Sequence, residues 1–155
     1  MNLQLDGKIA IVGGASKGIG FGIARALAEE GARVVITARR EADLAAAAKQ
    51  IGEQTGGEVH FIAADCRKAE DCTRVATEVR QRFGGADILV NNDGAPPVGD
   101  VISFDDAAWF KAVEQNLMYP VRMVREVVPS MRQLASCSRA SASAACVWAD
   151  RCGAP

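Results

Sequence analysis

The stretch IAIVGGASKGIG, residues 9–20, decides the fold. It begins with four apolar residues and passes through a glycine-rich turn. It then opens a segment in which apolar side chains recur at helical spacing, at Ile19, Ile23 and Leu27. An apolar run that ends in glycines and leads into such spacing is typical of a buried strand joined to an amphipathic helix. We therefore predict a strand, a tight turn and a helix, in that order.

The glycine-rich turn is suited to binding a phosphate group. Glycine lets the backbone approach a ligand closely, and the start of a helix offers unpaired N–H groups and a partial positive charge. The ligand typical of this arrangement is the pyrophosphate of a dinucleotide. A turn built from small residues for tightness alone is the alternative, and the flanking strand and helix favour the nucleotide site.

The alternation of strand and helix continues along the chain. An alternating pattern predicts an α/β fold with a parallel sheet and helices on both faces. The strands are expected at residues 8–12, 33–37, 59–63 and 87–91, the second helix at 41–51, and the last helical region at about 104–131.

Length and composition fit one soluble domain. The chain has 155 residues, of which 49% are hydrophobic, and a formal net charge of −1. That charge gives no indication of nucleic acid or an anionic membrane as a partner, and no segment has the apolar length of a membrane span or a signal peptide. Five cysteines without paired spacing indicate reduced thiols in the cytoplasm, and a single histidine argues against a metal site.

Four motifs in sequence order resemble the short-chain dehydrogenase/reductase family. They are the Gly-x-x-x-Gly-x-Gly turn, Asp65 after the third apolar run, the segment at residues 91–94 after the fourth, and Asn116 in the later helix. The resemblance covers about residues 5–131. Within the family, the chain is similar to the 3-oxoacyl-thioester reductases. It implies a Rossmann-like sheet with strand order 3-2-1-4, incomplete in its C-terminal half.

The resemblance also implies a set of cofactor-binding residues. Asp65 matches the carboxylate that binds the adenine amino group, although an aspartate here is also suited to capping the next helix. Residues 92 and 94 match the segment along the cofactor ribose. The full predicted set is Gly14, Ser16, Lys17, Gly18, Ile19, Gly20, Arg39, Arg40, Asp65, Cys66, Asn92 and Gly94.

The residues after the second strand indicate which cofactor is preferred. Family members specific for NAD carry an acidic residue where this chain has Ala38, and here Arg39 and Arg40 follow. A guanidinium suits bidentate contact with a 2′-phosphate, and Lys17 adds a point charge. We predict a preference for NADP(H) over NAD(H), the alternative being that these cations are ordinary surface charges.

Two positions depart from the family pattern. Gly13 stands where a threonine is usual, and Asp93 stands where an alanine is usual. A carboxylate about 5 Å from an anionic cofactor, at an effective dielectric of about 20, is repelled by about 3 kcal/mol before screening. Asp93 is therefore expected to weaken cofactor binding.

Asn116 is the member of the family's Asn-Ser-Tyr-Lys catalytic set that this chain retains. Pro120 has no N–H for a helical bond to the Asn116 carbonyl, which the family uses to hold a water, although a proline kink without a role is the alternative. No tyrosine follows Tyr119 and no lysine follows Lys111. Without that general acid, the chain is expected to be catalytically inactive.

Residues 133–155 do not continue the pattern. Of these 23 residues, 14 are alanine, serine or cysteine, without strand alternation or an apolar helical face. We therefore place the dinucleotide-binding domain at residues 1–132. A reading-frame slip near Gln133 explains the tail better than a native flexible extension does.

Three interpretations of the chain follow. It is an inactive representative of an NADP(H)-dependent oxidoreductase acting on a carbonyl or hydroxyl substrate, a non-catalytic NADP(H)-binding module, or a non-functional truncated product. In each case we expect a homo-oligomer or an aggregation-prone chain. Association would use the edge of the fourth strand or the last helix, at Leu117, Val121, Val124 and Val128.

Overall fold

The computed structural model describes residues 3–92, 94 and 98–135, in which strands and helices alternate as predicted. The strands are β1 (Ile9–Gly13), β2 (Arg33–Ala38), β3 (Val59–Ala63) and β4 (Ile88–Val90). The helices are α1 (Gly18–Glu29), α2 (Glu41–Thr55), α3 (Ala69–Phe83), α4 (Asp106–Val113) and α5 (Tyr119–Ala135). A 3₁₀ turn (Val101–Ser103) precedes α4, and a π-helical turn (Glu114–Met118) joins α4 to α5.

The four strands form one parallel sheet in the order β3-β2-β1-β4, which confirms the predicted topology. β1 lies in the interior of the sheet, where Ile11 pairs with Val35 on one side and Leu89 on the other. All five residues of β1 are buried. The apolar run is continuous because helices cover both faces of the strand.

Each face of the sheet has its own hydrophobic core, because successive residues of a strand point to opposite faces. Ile11 packs with residues of α3 and α5, including Val75 and Met123. Its neighbour Val12 packs with residues of α1 and α2, including Leu44. The predicted three-layer arrangement is therefore present, with two helices on each side.

Several element boundaries differ from the sequence prediction, including the end of β2, which runs one residue further, through Ala38. β1 begins and ends one residue later than predicted, and α2 runs four residues beyond Ile51 before Gly56, with φ of 67°, ends it. β4 is two residues shorter than predicted, and the carboxylate of Asp87, just before it, accepts from the Ile9 N–H at 2.9 Å. These differences leave the carboxyl ends of the strands, where ligands bind in such sheets, at the predicted positions.

The last helical region is three elements rather than one. The chain widens into the π-helical turn just before Pro120, which has no N–H to give to the Asn116 carbonyl. A proline ring also clashes with the carbonyl four residues earlier, and a π turn relieves that clash. Single π turns inside helices are frequent at functional sites.

The two helices on either side of this turn differ in burial. α5 buries Tyr119, Met123 and Val127 against the sheet and α3, and it continues through Ala135. α4 has no buried residue, and Phe110 is 73% exposed. Within the described part of the chain, no helix is both long and apolar enough to cross a membrane.

Candidate nucleotide-binding site

A cleft of about 430 Å³ lies at the carboxyl ends of the strands, and it collects most of the predicted cofactor residues. Turns after all four strands, together with the π-helical turn, contribute to its walls. Its lining residues are Gly14, Ser16, Lys17, Gly18, Ala38, Arg39, Arg40, Asp65, Arg67, Asn92, Gly94 and Gln115.

The glycine turn has the backbone geometry of a phosphate cradle. Gly14 and Gly18 adopt left-handed φ angles of 59° and 62°, which side chains rarely tolerate. A Cβ at Gly20 would lie 2.5 Å from the Gly14 carbonyl oxygen and 2.6 Å from Asn92 Nδ2. The start of α1 therefore packs directly under the turn. Lys17, the N-cap residue, makes no side-chain hydrogen bond to the first N–H groups of α1, which suits these groups to an anionic ligand.

Asn92 ties the end of β4 to the turn. Its Nδ2 donates to the Gly13 carbonyl oxygen at 3.3 Å. This bond joins the predicted ribose segment to the predicted phosphate segment, which lie 79 residues apart in sequence. The two parts of the site thus hold each other in place.

The cations of the cleft are not equivalent. Arg40 Nη2 lies 2.6 Å from Asp43 Oδ2, in an ion pair on the first turn of α2. Arg39 and Lys17 form no ion pair within the described residues, and both are exposed. Arg39 and Lys17 are therefore the cations best placed to meet an anionic ligand.

Asp65 is held by a second arginine of the same loop. Arg67 Nε and Nη2 lie 2.7 and 2.5 Å from the two carboxylate oxygens of Asp65. Arg67 holds the pKa of the Asp65 carboxyl below its usual range. The alternative role for Asp65, as the cap of α3, is not found, because Lys68 is the N-cap residue of that helix.

Four predicted residues do not line the cleft. Ile19 is 76% exposed, and Gly20 is buried beneath the turn. The Cys66 side chain lies in the core, and its carbonyl oxygen accepts from Cys72 Sγ at 3.1 Å. Asn116 Nδ2 donates to the Ala112 carbonyl oxygen at 2.9 Å, and a Cβ at Gly94 would overlap Asn116 Oδ1. Asn116 is thus adjacent to the cleft through Gly94.

Sequence reasoning missed two residues of the cleft, Arg67 and Gln115. Each lies one or two positions from a residue that was predicted, so the signal was proximity in sequence. The predicted contribution of Asp93 falls outside the described residues and stays a prediction.

A second groove, of about 510 Å³, runs along β3. It is lined by β3 together with Glu41 and charged residues of α3, including Arg74 and Arg82, and it shares no residue with the nucleotide cleft. Within the described ranges no three His, Cys, Asp or Glu side chains are placed to hold a metal ion.

The residues of the cleft fit a phosphorylated dinucleotide. A backbone cradle at the start of a helix suits a pyrophosphate, and two cations that form no ion pair with any described residue suit a further phosphate. The sheet and the position of this cleft define an α/β protein with a Rossmann-like fold. The chain belongs to the short chain dehydrogenase family, whose sequence model matches residues 8–142.

Known relatives match this chain over about half of their own length. D-beta-hydroxybutyrate dehydrogenase from Cupriavidus necator is 38% identical over 131 residues, which are 84% of this chain and 50% of the relative. The structure of L-sorbose reductase from Gluconobacter frateurii, complexed with NADPH and L-sorbose, is similar with a TM-score of 0.82 and 39% identity. That match covers 86% of this chain and 51% of the reductase.

A third relative binds the other nicotinamide cofactor. The structure of NADH-dependent reductase A1-R′, complexed with NAD, is similar with a TM-score of 0.81 and 30% identity. The match covers 89% of this chain and 58% of that protein. The chain spans about half the length of the curated relatives it matches.

Proposed function

We propose that this chain binds NADP(H) in the cleft and represents the dinucleotide-binding part of an oxidoreductase acting on a carbonyl or hydroxyl substrate. One observation carries the proposal: Lys17 and Arg39 line the same cleft as the glycine turn, with Ala38 where a carboxylate would select NAD. When bound, the nicotinamide supplies a hydride. The residues of this chain bind and orient the dinucleotide.

The preference for NADP(H) rests on charge. A 2′-phosphate gains charge-assisted hydrogen bonds from a guanidinium, whereas a ribose hydroxyl gains less from the same group. Relatives bound to NADPH and to NAD both exist, so the choice lies in local residues rather than in the fold. Arg39 is the residue that we assign to this choice, with Lys17 in support.

We propose that the chain alone has no catalytic turnover. Asn116 lies beside the cleft, but no Tyr-x-x-x-Lys sequence occurs in the 155 residues. Tyr119 does not replace the missing tyrosine, because it is 2% exposed and its hydroxyl lies against Gly13. No tyrosine of the described residues is therefore available to protonate a carbonyl oxygen.

A binding module without chemistry is the second candidate function. It is supported by a cleft that is lined by nine of the twelve predicted cofactor residues, in a chain whose 155 residues contain no Tyr-x-x-x-Lys sequence. Tight cofactor binding by a cooperatively unfolding protein supports it. A product without function, the third interpretation, predicts neither tight binding nor cooperative unfolding.

The test is a titration of the full chain with NADPH and with NADH, followed by intrinsic fluorescence and calorimetry. We expect NADPH to bind more tightly than NADH. Arg39→Ala should weaken NADPH binding by about 1–3 kcal/mol while leaving NADH binding nearly unchanged. Arg40→Ala is the matched control and should have a smaller effect, because Asp43 already holds that guanidinium. Equal affinity for both cofactors in the wild type would contradict the proposal.

A further inference from the structure

The outer edge of β3 can accept the backbone of a further strand. Among the described strands, β3 pairs only with β2, at one end of the sheet. The Val34 N–H donates to the Glu58 carbonyl oxygen at 2.9 Å, and the Ala64 N–H donates to the Ala38 carbonyl oxygen at 2.8 Å. Successive residues of a strand direct their backbone groups to opposite sides, so residues 59, 61 and 63 direct theirs away from β2.

The groove of about 510 Å³ along this edge has a charged rim. Three side chains of α3, at successive intervals of four residues, form the rim: Arg74, Glu78 and Arg82. At one end of the rim, Arg74 Nη2 donates to the Ala63 carbonyl oxygen at 2.7 Å. At the other end, the ring of Phe83 lies 5.0 Å from the ring of His60. The rim therefore follows the whole strand. Glu41 also lines the groove, but it belongs to α2 on the opposite face of the sheet.

The spacing of this charged row matches an extended chain. Four residues of a helix advance by about 6 Å, and two residues of a strand advance by about 6.6 Å. Every second side chain of a strand points to the same face of its sheet. A strand laid along the groove therefore places every second side chain opposite a member of the row. Three such side chains with negative, positive and negative charge complement it.

The ion pairs within α3 leave the row able to bind further charges. Arg74 Nη2 lies 3.0 Å from Asp71 Oδ1, and Arg82 Nη2 lies 2.7 Å from Glu78 Oε1. The two arginine side chains are 48% and 54% exposed. A guanidinium has five N–H donors, so each arginine can bind a second carboxylate while it keeps the first.

The same row disfavours pairing between two copies of this chain. An antiparallel pair of β3 strands that uses all five residues of each is centred on Phe61, and its twofold axis sets α3 beside the α3 of the other copy. Arg74 then meets the Arg82 of the other copy, and the two Glu78 side chains meet each other. Like charges placed opposite each other oppose association. The row therefore fits a strand of different sequence.

We propose that the edge of β3 binds an extended segment of another protein as a fifth strand, and that this segment carries an acidic, a basic and an acidic side chain at alternate positions. Strands added to a sheet edge obtain affinity from main-chain hydrogen bonds and specificity from alternate side chains. Peptide binding here is independent of the proposed function, because the groove shares no residue with the nucleotide cleft.

The test measures binding of fluorescein-labelled peptides to the full chain by fluorescence anisotropy at low salt. The peptide TTETKTETT carries the complementary charges, TETTKTTET has the same composition with a different spacing, and TTKTETKTT carries the opposite charges. Wild type should bind TTETKTETT about tenfold more tightly than either control, as three exposed ion pairs of modest strength allow. Sodium chloride should reduce this preference, because it screens exposed charges.

Two methylated peptides test the addition of a strand. One form of TTETKTETT is methylated on the backbone nitrogens of its three charged residues, and the other on those of the threonines beside them. Only one edge of an added strand faces β3, so one form should lose at least tenfold in affinity and the other should keep it.

An exchange of charges tests which side chains select the peptide. Glu78→Arg combined with Arg82→Glu keeps a pair of opposite charges on α3 but changes their order, so the affinity for TTETKTETT should fall to that for the controls. Arg80→Glu is the matched control, since Arg80 lies on α3 but does not line the groove. The peptide comparisons use the wild-type chain and are decisive even if the double variant does not fold.

Four results would overturn the inference. They are equal or absent binding of the three peptides, equal binding of both methylated forms and their parent, a preference that the folded double variant retains, and a wild-type oligomer that TTETKTETT dissociates. The last result would assign the edge to a second copy of the chain. None of them concerns the nucleotide cleft, so the proposed function is decided by the cofactor titration alone.

Discussion

The hydroxyl of Tyr119 on α5 occupies the space that a side chain at Gly13 would fill. A Cβ built on Gly13 would overlap that hydroxyl and would also lie 3.4 Å from the Val90 carbonyl oxygen. Both residues are buried, Tyr119 to 2% exposure. The absence of a side chain at the end of β1 is therefore matched to a tyrosine more than a hundred residues later. Gly13, which departs from the family pattern, is therefore part of the packing between β1 and α5.

This relationship predicts that a larger residue at position 13 destabilises the protein. Gly13→Thr should lower the free energy of unfolding by about 1–3 kcal/mol, because Tyr119 must move to admit it. Gly22→Ala is the control, since a Cβ there meets no atom within 4 Å and alanine favours a helix. Urea unfolding followed by circular dichroism measures both changes.

A double-mutant cycle tests whether the two residues interact. Tyr119→Ala alone should cost about 3–5 kcal/mol, the usual range for removing a buried aromatic ring. Gly13→Thr in the Tyr119→Ala background should cost much less than in wild type, because the cavity accepts the threonine. Additivity of the two changes within about 0.5 kcal/mol would contradict the packing relationship.

A second prediction concerns the stability of the protein at acidic pH. The Arg33 guanidinium lies 2.6 Å from Glu58 Oε2, and with His60 it lowers the pKa of the Glu58 carboxyl to about 2. Because the folded-state pKa is below the unfolded value, the stabilisation is present above the ordinary carboxyl range. It is lost as the pH falls from about 4.5 towards 2. Both side chains are more than a third exposed, so we expect about 1 kcal/mol or less.

Glu58→Gln should remove this acid-dependent stabilisation. The variant should be less stable than wild type at pH 6, and the difference should shrink when unfolding is measured at pH 3. Glu53→Gln is the control, because the Lys49–Glu53 pair is longer, at 3.8 Å, and more exposed. A stability difference between wild type and Glu58→Gln that does not change between these pH values would count against the ion pair.

The sequence predicts the parts of this fold that depend on local pattern. The apolar run of β1 and the glycines after it act within about 12 residues, so periodicity and turn chemistry locate them. The match between Gly13 and Tyr119, and the bond from Arg122 to the Arg67 carbonyl, join residues far apart in the chain. No local pattern encodes such a pair, because the packing of α5 against both the sheet and α3 brings the partners together.

Single side chains in the cleft also show that a local sequence pattern does not determine every contact. Asp65 follows from its place after a strand, whereas its pairing with Arg67 depends on rotamers that spacing alone does not set. The π-helical turn is intermediate, because Pro120 predicts a disturbed bond to residue 116 but not which irregular turn results. A proline thus marks the position of an irregularity and leaves its form to the surrounding packing.

A third prediction is the absence of turnover. Purified chain incubated with NADPH and a ketone or a 3-oxoacyl thioester should oxidise NADPH no faster than the buffer blank. The reason is that the 155 residues contain no Tyr-x-x-x-Lys sequence to protonate the substrate oxygen. Absorbance of the reduced nicotinamide measures the rate. Asn116→Ala serves as the companion variant. A reproducible wild-type rate that this substitution abolishes would show that a residue outside the described part of the chain supplies the acid.

The fourth prediction is self-association, which follows from two uncovered surfaces. The first consists of exposed apolar side chains of the 3₁₀ turn, α4 and the π-helical turn, here called the patch, each at least 44% exposed: Val101, Ile102, Trp109, Phe110, Val113 and Leu117. The second is the outer edge of β4, which pairs only with β1 among the described strands. Exposed apolar area and unpaired strand edges both favour contact with a second chain. Sedimentation at micromolar concentration should therefore show species larger than 16.3 kDa.

Charge substitutions distinguish which of the two surfaces forms the contact. Phe110→Glu should shift the chain towards monomer if the patch is the contact, because burying an unpaired carboxylate costs several kcal/mol. Lys111→Glu is the matched control, since it changes charge at the next residue of α4 without removing apolar area. Ile88→Lys on β4 should reduce association instead if the strand edge is the contact, as a lysine blocks edge pairing. A wild-type chain that sediments as a monomer with cooperative unfolding would show that both surfaces are covered within the chain itself.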